Sequence, residues 1–184
     1  FYVLDDYSPL RELTPEGSGD QPKFYPIEDA MIYGRGSRLG GRGGKGSQGA
    51  AFYTASNPDF GATFTYYLPE KYETRKELRK KREREQGKDG GDVPYPSWEE
   101  LRAEDNEKSP QVFLVIRDED GRVVQRLNGS RSSGQHRTTW NLREASPNPV
   151  GGGGRRGGGG GHWALPGTYS VQLATLIDGE YAEI

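Results

Sequence analysis

The residues best suited to chemistry are cationic and sit among glycines. Gly34–Gly49 reads GRGSRLGGRGGKGSQG, carrying Arg35, Arg38, Arg42 and Lys45 and no acid, while Gly151–Gly161 reads GGGGRRGGGGG, carrying Arg155 and Arg156. Guanidinium and ammonium groups on a backbone rich in free N–H groups suit the capture of an anion such as a sulfated or uronic glycan. Plain flexible loop is the default reading of both runs, and these residues form the candidate anion- or glycan-binding set beside it. Tighter readings fail on spacing. A phosphate loop needs Gly-Lys followed by Ser or Thr to hold magnesium, but Lys45 precedes Gly46 and Leu39 stands where the first glycine belongs. A dinucleotide fingerprint starting at Gly34-Arg35-Gly36 has Leu39 in place of its third glycine. Arg42-Gly43-Gly44 and Arg156-Gly157-Gly158 are RGG-like, yet nucleic-acid-binding RGG regions repeat the unit with interleaved aromatics. RNA binding is the weaker alternative.

Other reactive groupings are sparse. Asp118-Glu119-Asp120 begins like a calcium loop but meets Gly121 and Arg122 with no closing Glu, which reads as a hairpin turn. His136 and His162 are the only histidines and lack metal-ligand spacing, so no metal or cofactor is expected. His136 is expected to face solvent. There is no Cys, which excludes disulfides and thiolate chemistry. Adjacent carboxylates such as Asp5-Asp6 and Glu99-Glu100 could hydrolyse a glycoside only if folding set two of them across a cleft about 5–10 Å apart. No G-x-S-x-G elbow is present. The expectation is a non-catalytic chain.

Of 184 residues, 31% are apolar, 28% charged and 11% aromatic, and the net charge is −2. That balance gives no global reason to seek nucleic acid. No apolar run approaches the roughly 20 residues of a membrane-spanning helix. The two loops hold eight and nine of the 28 glycines, leaving an ordinary frequency elsewhere. The remainder is patterned for strands. Ala62, Phe64, Tyr66 and Leu68 alternate with polar or half-polar residues, as in a strand with one buried face. Val112–Ile116 is continuously apolar, suiting a central strand covered on both sides. Asp120-Gly121 signals a hairpin into Val123-Val124. Thr138, Trp140 and Leu142 share a face of another strand, and Pro166-Gly167 turns into Tyr169, Val171 and Leu173. Asn57–Phe64 has Asp-box spacing, D-x-G-x-T-F, read as a turn entering a strand. The pattern predicts a mainly β, Ig-like or fibronectin-like sandwich with Phe64, Tyr66, Val112, Leu114, Ile116, Val124, Trp140, Tyr169, Val171 and Leu173 in its core.

A charged helical hairpin interrupts the strands at about 69–107. Pro69–Gln86 is rich in helix formers, with Pro69 in the first turn and Glu77 spaced to pair with Lys81. Ser97-Trp98-Glu99-Glu100 fits a capping box opening a second helix over Trp98–Asn106. Trp98 and Leu101 are expected to lean on the sandwich. The first helix, basic but poor in apolar residues, reads as a solvated helix or a protein-docking arm; docking on an anionic surface is the alternative, and the poor apolar face argues against membrane insertion.

Three stretches carry a family resemblance. Phe1-Tyr2-Val3-Leu4-Asp5-Asp6-Tyr7-Ser8-Pro9-Leu10-Arg11 resembles the exit from the last blade of secreted bacterial sortilin-like, BNR/Asp-box propeller proteins, often labelled glycosyl hydrolase-like. Gly134–Arg143, with its W-N-L-R, and Leu165–Val171, with its P-G-T-Y, resemble strands of the C-terminal Ig-like domain shared with flagellar hook-capping proteins, as does the hairpin Val115–Val124. The resemblance implies a secreted, extracellular or periplasmic, non-catalytic module behind a propeller, contacting proteins or cell-surface glycans. An accessory role in a glycoside-active propeller enzyme is the alternative.

The organisation expected is a terminal propeller strand over 1–11, a linker and Gly-rich loop over 12–50, and the sandwich over 51–184. Both ends read as cut from something longer. Partners would be the preceding propeller domain, other chains added at a free strand edge, or an acidic glycan.

Overall fold

Alternation along Ala62–Leu68 becomes the inner face of a strand: Ala62, Phe64, Tyr66 and Leu68 are each at most 9% exposed. The computed structural model describes residues 8–12, 19–34, 59–88, 90–147 and 161–184. Among them, seven strands form two antiparallel sheets. One has the order β1 (Lys23–Phe24), β2 (Ala62–Leu68), β5 (Gly134–Trp140); the other runs β4 (Val123–Gly129), β3 (Gln111–Arg117), β6 (Ser170–Ile177), β7 (Glu180–Glu183). Consecutive strands cross between the sheets at β2–β3, β4–β5 and β5–β6, giving a β-sandwich of the Ig-like kind. The predicted core is the observed one, with Tyr169 and Val171 packed at its margin.

β3 lies in the middle of its sheet, which explains its unbroken apolar run. Leu114 and Ile116 face the other sheet, while Val115, on the outer face, is paired between Arg126 and Gln172 and is fully buried. Long polar side chains can cover an apolar residue with their methylene stems. The Asp120-Gly121 hairpin also forms. Asp118 accepts from the Arg122 backbone N–H (2.9 Å) and guanidinium (3.0 Å), and Gly121 takes φ +78°. The Arg122 guanidinium holds the Asp118 carboxyl below its ordinary range. Of the Asp-box segment, residues 57 and 58 lie outside the described residues, and 59–61 bend into β2. Gly61 has φ +126°, and a Cβ there would lie 1.8 Å from the Trp140 carbonyl oxygen.

A second marker of this fold closes the return into β6. The Tyr169 hydroxyl donates to the Leu165 carbonyl four residues upstream at 2.6 Å. This is the tyrosine-corner arrangement of Greek-key sandwiches. The ring also meets Trp140 edge-on, with centroids 5.2 Å apart.

Several local expectations are corrected. Ser8–Arg11 is one helical turn, α1, where a terminal strand was expected; Pro9 has no N–H to give a strand ladder. Residues 1–7 lie outside the described residues. Within the expected linker, Lys23–Phe24 pairs with Tyr66–Tyr67 and Tyr25 is buried, so the sandwich takes in residues before 51. β5 ends at Trp140, because Leu142 turns to φ +59° while remaining buried. His136 does not simply face solvent: its ring lies 5.4 Å from that of Tyr66 and its Nε2 is 2.7 Å from the Ser132 carbonyl.

The hairpin insertion is confirmed, with α2 (Arg75–Lys88) and α3 (Trp98–Asn106). The Ser97–Glu100 capping box is present. α2 starts six residues after Pro69 because Thr74 and Glu77 form a second capping box: Thr74 Oγ1 accepts from the Glu77 N–H (3.2 Å), and the Glu77 carboxylate from the Thr74 N–H (3.0 Å). Turned back toward its cap, Glu77 pairs with Lys71 and Arg131, both at 2.9 Å, instead of Lys81. Trp98 is 75% exposed and does not lean on the sandwich. Attachment is polar. Arg131 and Tyr72 exchange hydrogen bonds of 3.0 Å, Arg75 Nη2 reaches Asp178 at 2.8 Å, and the Arg75 N–H donates to Glu107. Tyr72 alone adds an apolar contact with the core.

Candidate functional site

An open cleft of about 610 Å³ lies at one end of the sandwich. Its floor is core: Phe64 of β2, Ile116 of β3 and Trp140 of β5. One wall is the segment 27–32 that follows β1; the other is 164–171, leading into β6. Each wall is fixed from behind. Tyr25 is buried and its N–H donates to the Thr65 carbonyl (3.0 Å), while Tyr33 meets Phe60 edge-on at 5.1 Å. Opposite, the Pro166-Gly167 turn is held by the tyrosine corner and by the Thr168 N–H donating to Glu119 at 3.1 Å.

The rim is apolar and exposed. Met31 is 78% and Leu165 77% exposed, with Ile27 and Ile32 beside Met31 on the first wall. Four large apolar side chains thus stand exposed around one cleft, whereas most of those in a monomer are withdrawn from water. The exposed carboxylates of Glu28 and Asp29 stand on the same wall. Behind the other wall, Tyr169 is raised above its ordinary pKa by burial, with Glu144 and Asp118 adding to the shift. The cleft is thus an apolar slot with two exposed carboxylates on one wall, while Asp118 and Glu144 near the other are paired with Arg122.

Next to it, the W-N-L-R stretch forms a corner. The Trp140 indole N–H donates to the Arg143 carbonyl at 2.8 Å, and the Arg143 guanidinium lies 3.9 Å from the Trp163 ring centre while donating to the Gly161 carbonyl. Leu142, Glu144 and their partners Ala164 and His162 pair across this point (2.9 Å each). Trp163 also meets Phe60 edge-on, so Tyr33, Phe60, Trp163 and Arg143 form one continuous stack.

The candidate anion-binding residues Arg35, Arg38, Arg42, Lys45, Arg155 and Arg156 all lie outside the described residues. The structure gives only the points from which their segments depart, Gly34 at the end of one cleft wall and Gly161 under Arg143. The cleft itself went unrecognised in the sequence. Its signal was the run Ile27, Met31, Ile32 and Tyr33, four large apolar residues within a stretch otherwise read as linker. Among the described residues, no helix is long and apolar enough to cross a membrane.

No family model and no curated protein matches the chain. Among solved structures it is similar to FlgD from P. aeruginosa, at 26% identity and a TM-score of 0.29, over 42% of this chain and 49% of that one. The chain therefore spans about half the length of that protein.

Proposed function

We propose that this sandwich is a non-catalytic binding module that seats a large apolar side chain of a partner polypeptide in the end cleft. The observation that carries the proposal is the pairing of a core-floored slot with an exposed apolar rim, Met31 on one wall and Leu165 on the other. Glu28 and Asp29 beside that rim favour a segment whose apolar anchor is flanked by lysine or arginine. A randomised heptapeptide library displayed on phage, selected against the chain, tests this directly. Enriched sequences should carry Leu, Ile, Phe or Trp next to basic residues, and should lose binding to Met31→Glu and Leu165→Glu variants. Peptides that bind those variants equally well would overturn the reading.

The same proposal extends to context. The resemblance of 1–11 and of the W-N-L-R and P-G-T-Y stretches supports a C-terminal position behind a propeller in a secreted bacterial protein. Repeated S-x-D-x-G-x-T-W boxes encoded upstream of Phe1 would bear this out, and their absence would remove it.

A further inference from the structure

The two helices of the insertion are electrostatic opposites. α2 carries Arg75, Lys76, Arg79, Lys80, Lys81, Arg82, Arg84 and Lys88 against Glu77, Glu83 and Glu85; α3 carries Glu99, Glu100, Glu104 and Asp105 against Arg102. Neither helix has a buried residue, so charge rather than a hydrophobic seam matches them. The match is specific. Arg79 is held by both carboxylate oxygens of Glu104, and Arg82 lies close enough to Glu100 to lower its pKa further than the Ser97 cap alone does. Glu100 and Glu104 stand four residues apart, one helical turn, so an acidic helix answers α2 turn for turn.

α3 answers one side of α2, and Lys71 and Arg131 answer Glu77 in its first turn. At 3.6 residues per turn, Lys80, Arg84 and Lys88 project about 100°, 140° and 180° around the axis from Arg79 and climb about 6 Å per step. Lys81 projects about 200° from Arg79, just beyond this row, and its pair with Glu73 is long, at 3.9 Å. Glu83 is drawn to Arg79 on the other side. Among the described residues, Lys80, Arg84 and Lys88 make no ion pair, and all three are exposed; Lys80, at the edge of the row, also adds to the field that lowers the Glu104 carboxyl of α3. The outward row therefore repeats the charge and turn spacing of the side that α3 already covers, in a chain whose net charge is negative.

We infer that Lys80, Arg84 and Lys88 form an interaction surface for an acidic helical segment of a partner protein, with carboxylates four residues apart. Within this molecule the basic helix already pairs with such a helix, and this favours an acidic helix over a flexible polyanion. Exposed ion pairs are individually weak, so the contact depends on several in register and weakens with salt.

Fluorescence anisotropy on the full chain tests it with three probes: an alanine-based helical peptide with glutamates at every fourth position, the same peptide interrupted by prolines, and single-stranded oligothymidylate of equal charge. The helical peptide should bind about tenfold more tightly than the interrupted one, and its affinity should fall as salt rises. Lys80→Glu, Arg84→Glu and Lys88→Glu together should abolish binding. The corresponding three glutamine substitutions, which spare the helix if charge reversal unfolds it, should weaken binding with an unchanged circular-dichroism spectrum. Equal affinity for the interrupted peptide, insensitivity to the glutamine substitutions, or tighter binding of oligothymidylate would each overturn the inference.

Discussion

The Arg143 guanidinium stacks on Trp163, 3.9 Å from the ring centre, and the same side chain donates to the carbonyl of Gly161 at 3.1 Å. Twenty residues of sequence separate the stacked pair, and a two-sided stem of backbone hydrogen bonds, Glu144 with His162 and Ala164 with Leu142, joins their strands. The W-N-L-R stretch is thus a clasp rather than a reactive motif. Its arginine secures the point where the segment after Trp140 meets the segment that begins at Gly161.

Replacing Arg143 by Gln removes the stacked charge and weakens the bond to Gly161. A cation–π contact of this kind contributes about 0.5–2 kcal/mol. Urea denaturation should show a loss of that order without a change in slope, and Arg143→Lys should recover only part of it, because an ammonium cannot stack as a planar guanidinium does. No shift in midpoint for Arg143→Gln would show that the clasp adds nothing.

Gly61 is expected to tolerate no side chain. Its φ of +126° suits glycine, and an alanine Cβ would meet the Trp140 carbonyl oxygen at 1.8 Å. Backbone must move on both β2 and β5, so Gly61→Ala should cost about 2 kcal/mol or more. Thermal unfolding would register this as a clear drop in Tm, whereas alanine at Gly90, which also has positive φ but open space around it, should cost less.

Tyr169→Phe keeps the ring against Trp140 and deletes only the hydroxyl bond to Leu165. The expected loss is about 1 kcal/mol. Trp140→Ala should cost about 3–5 kcal/mol, since it empties a core site that is 2% exposed. Chemical denaturation of both variants checks the ratio; equal losses would mean that the corner bond counts for as much as the packing, against this expectation.

The Glu77 carboxyl is held at about 2, against an ordinary 4.5, first by the Thr74 N–H and then by Lys71 and Arg131. A carboxyl lowered in the folded state adds stability that is complete above its unfolded value and fades as pH falls through the folded one. The start of α2 and its tie to Arg131 should therefore loosen between about pH 4.5 and 2. Carbon-13 NMR titration of the Glu77 carboxyl should find the low midpoint. Arg131→Ala should raise it while leaving it below 4.5, because the Thr74 cap persists. A wild-type midpoint at the ordinary value would refute the assignment.

Strand identity and core membership were legible because period-two alternation survives wherever one face is buried, as Phe64, Tyr66 and Leu68 show. The Ser97 capping box was equally plain, being written in four consecutive residues. What stayed hidden depends on long-range geometry. Thr74 rather than Pro69 starts α2, since Glu77 is shared by its cap and by Arg131, 54 residues away. β1 is two residues long, too short for any alternation to register. The cleft is assembled from segments more than a hundred residues apart, and neither Met31 nor Leu165 signals on its own that the other will face it across a slot.

The insertion between β2 and β3 leaves one sheet at Leu68 and enters the other at Gln111, yet its helices contribute no side chain to the interior. Such an arm behaves as an interchangeable cassette. Lengthening, shortening or recharging it beyond its ties should leave the scaffold unperturbed, provided Tyr72, the Arg131 tether and the Arg75–Asp178 pair remain to set where it emerges.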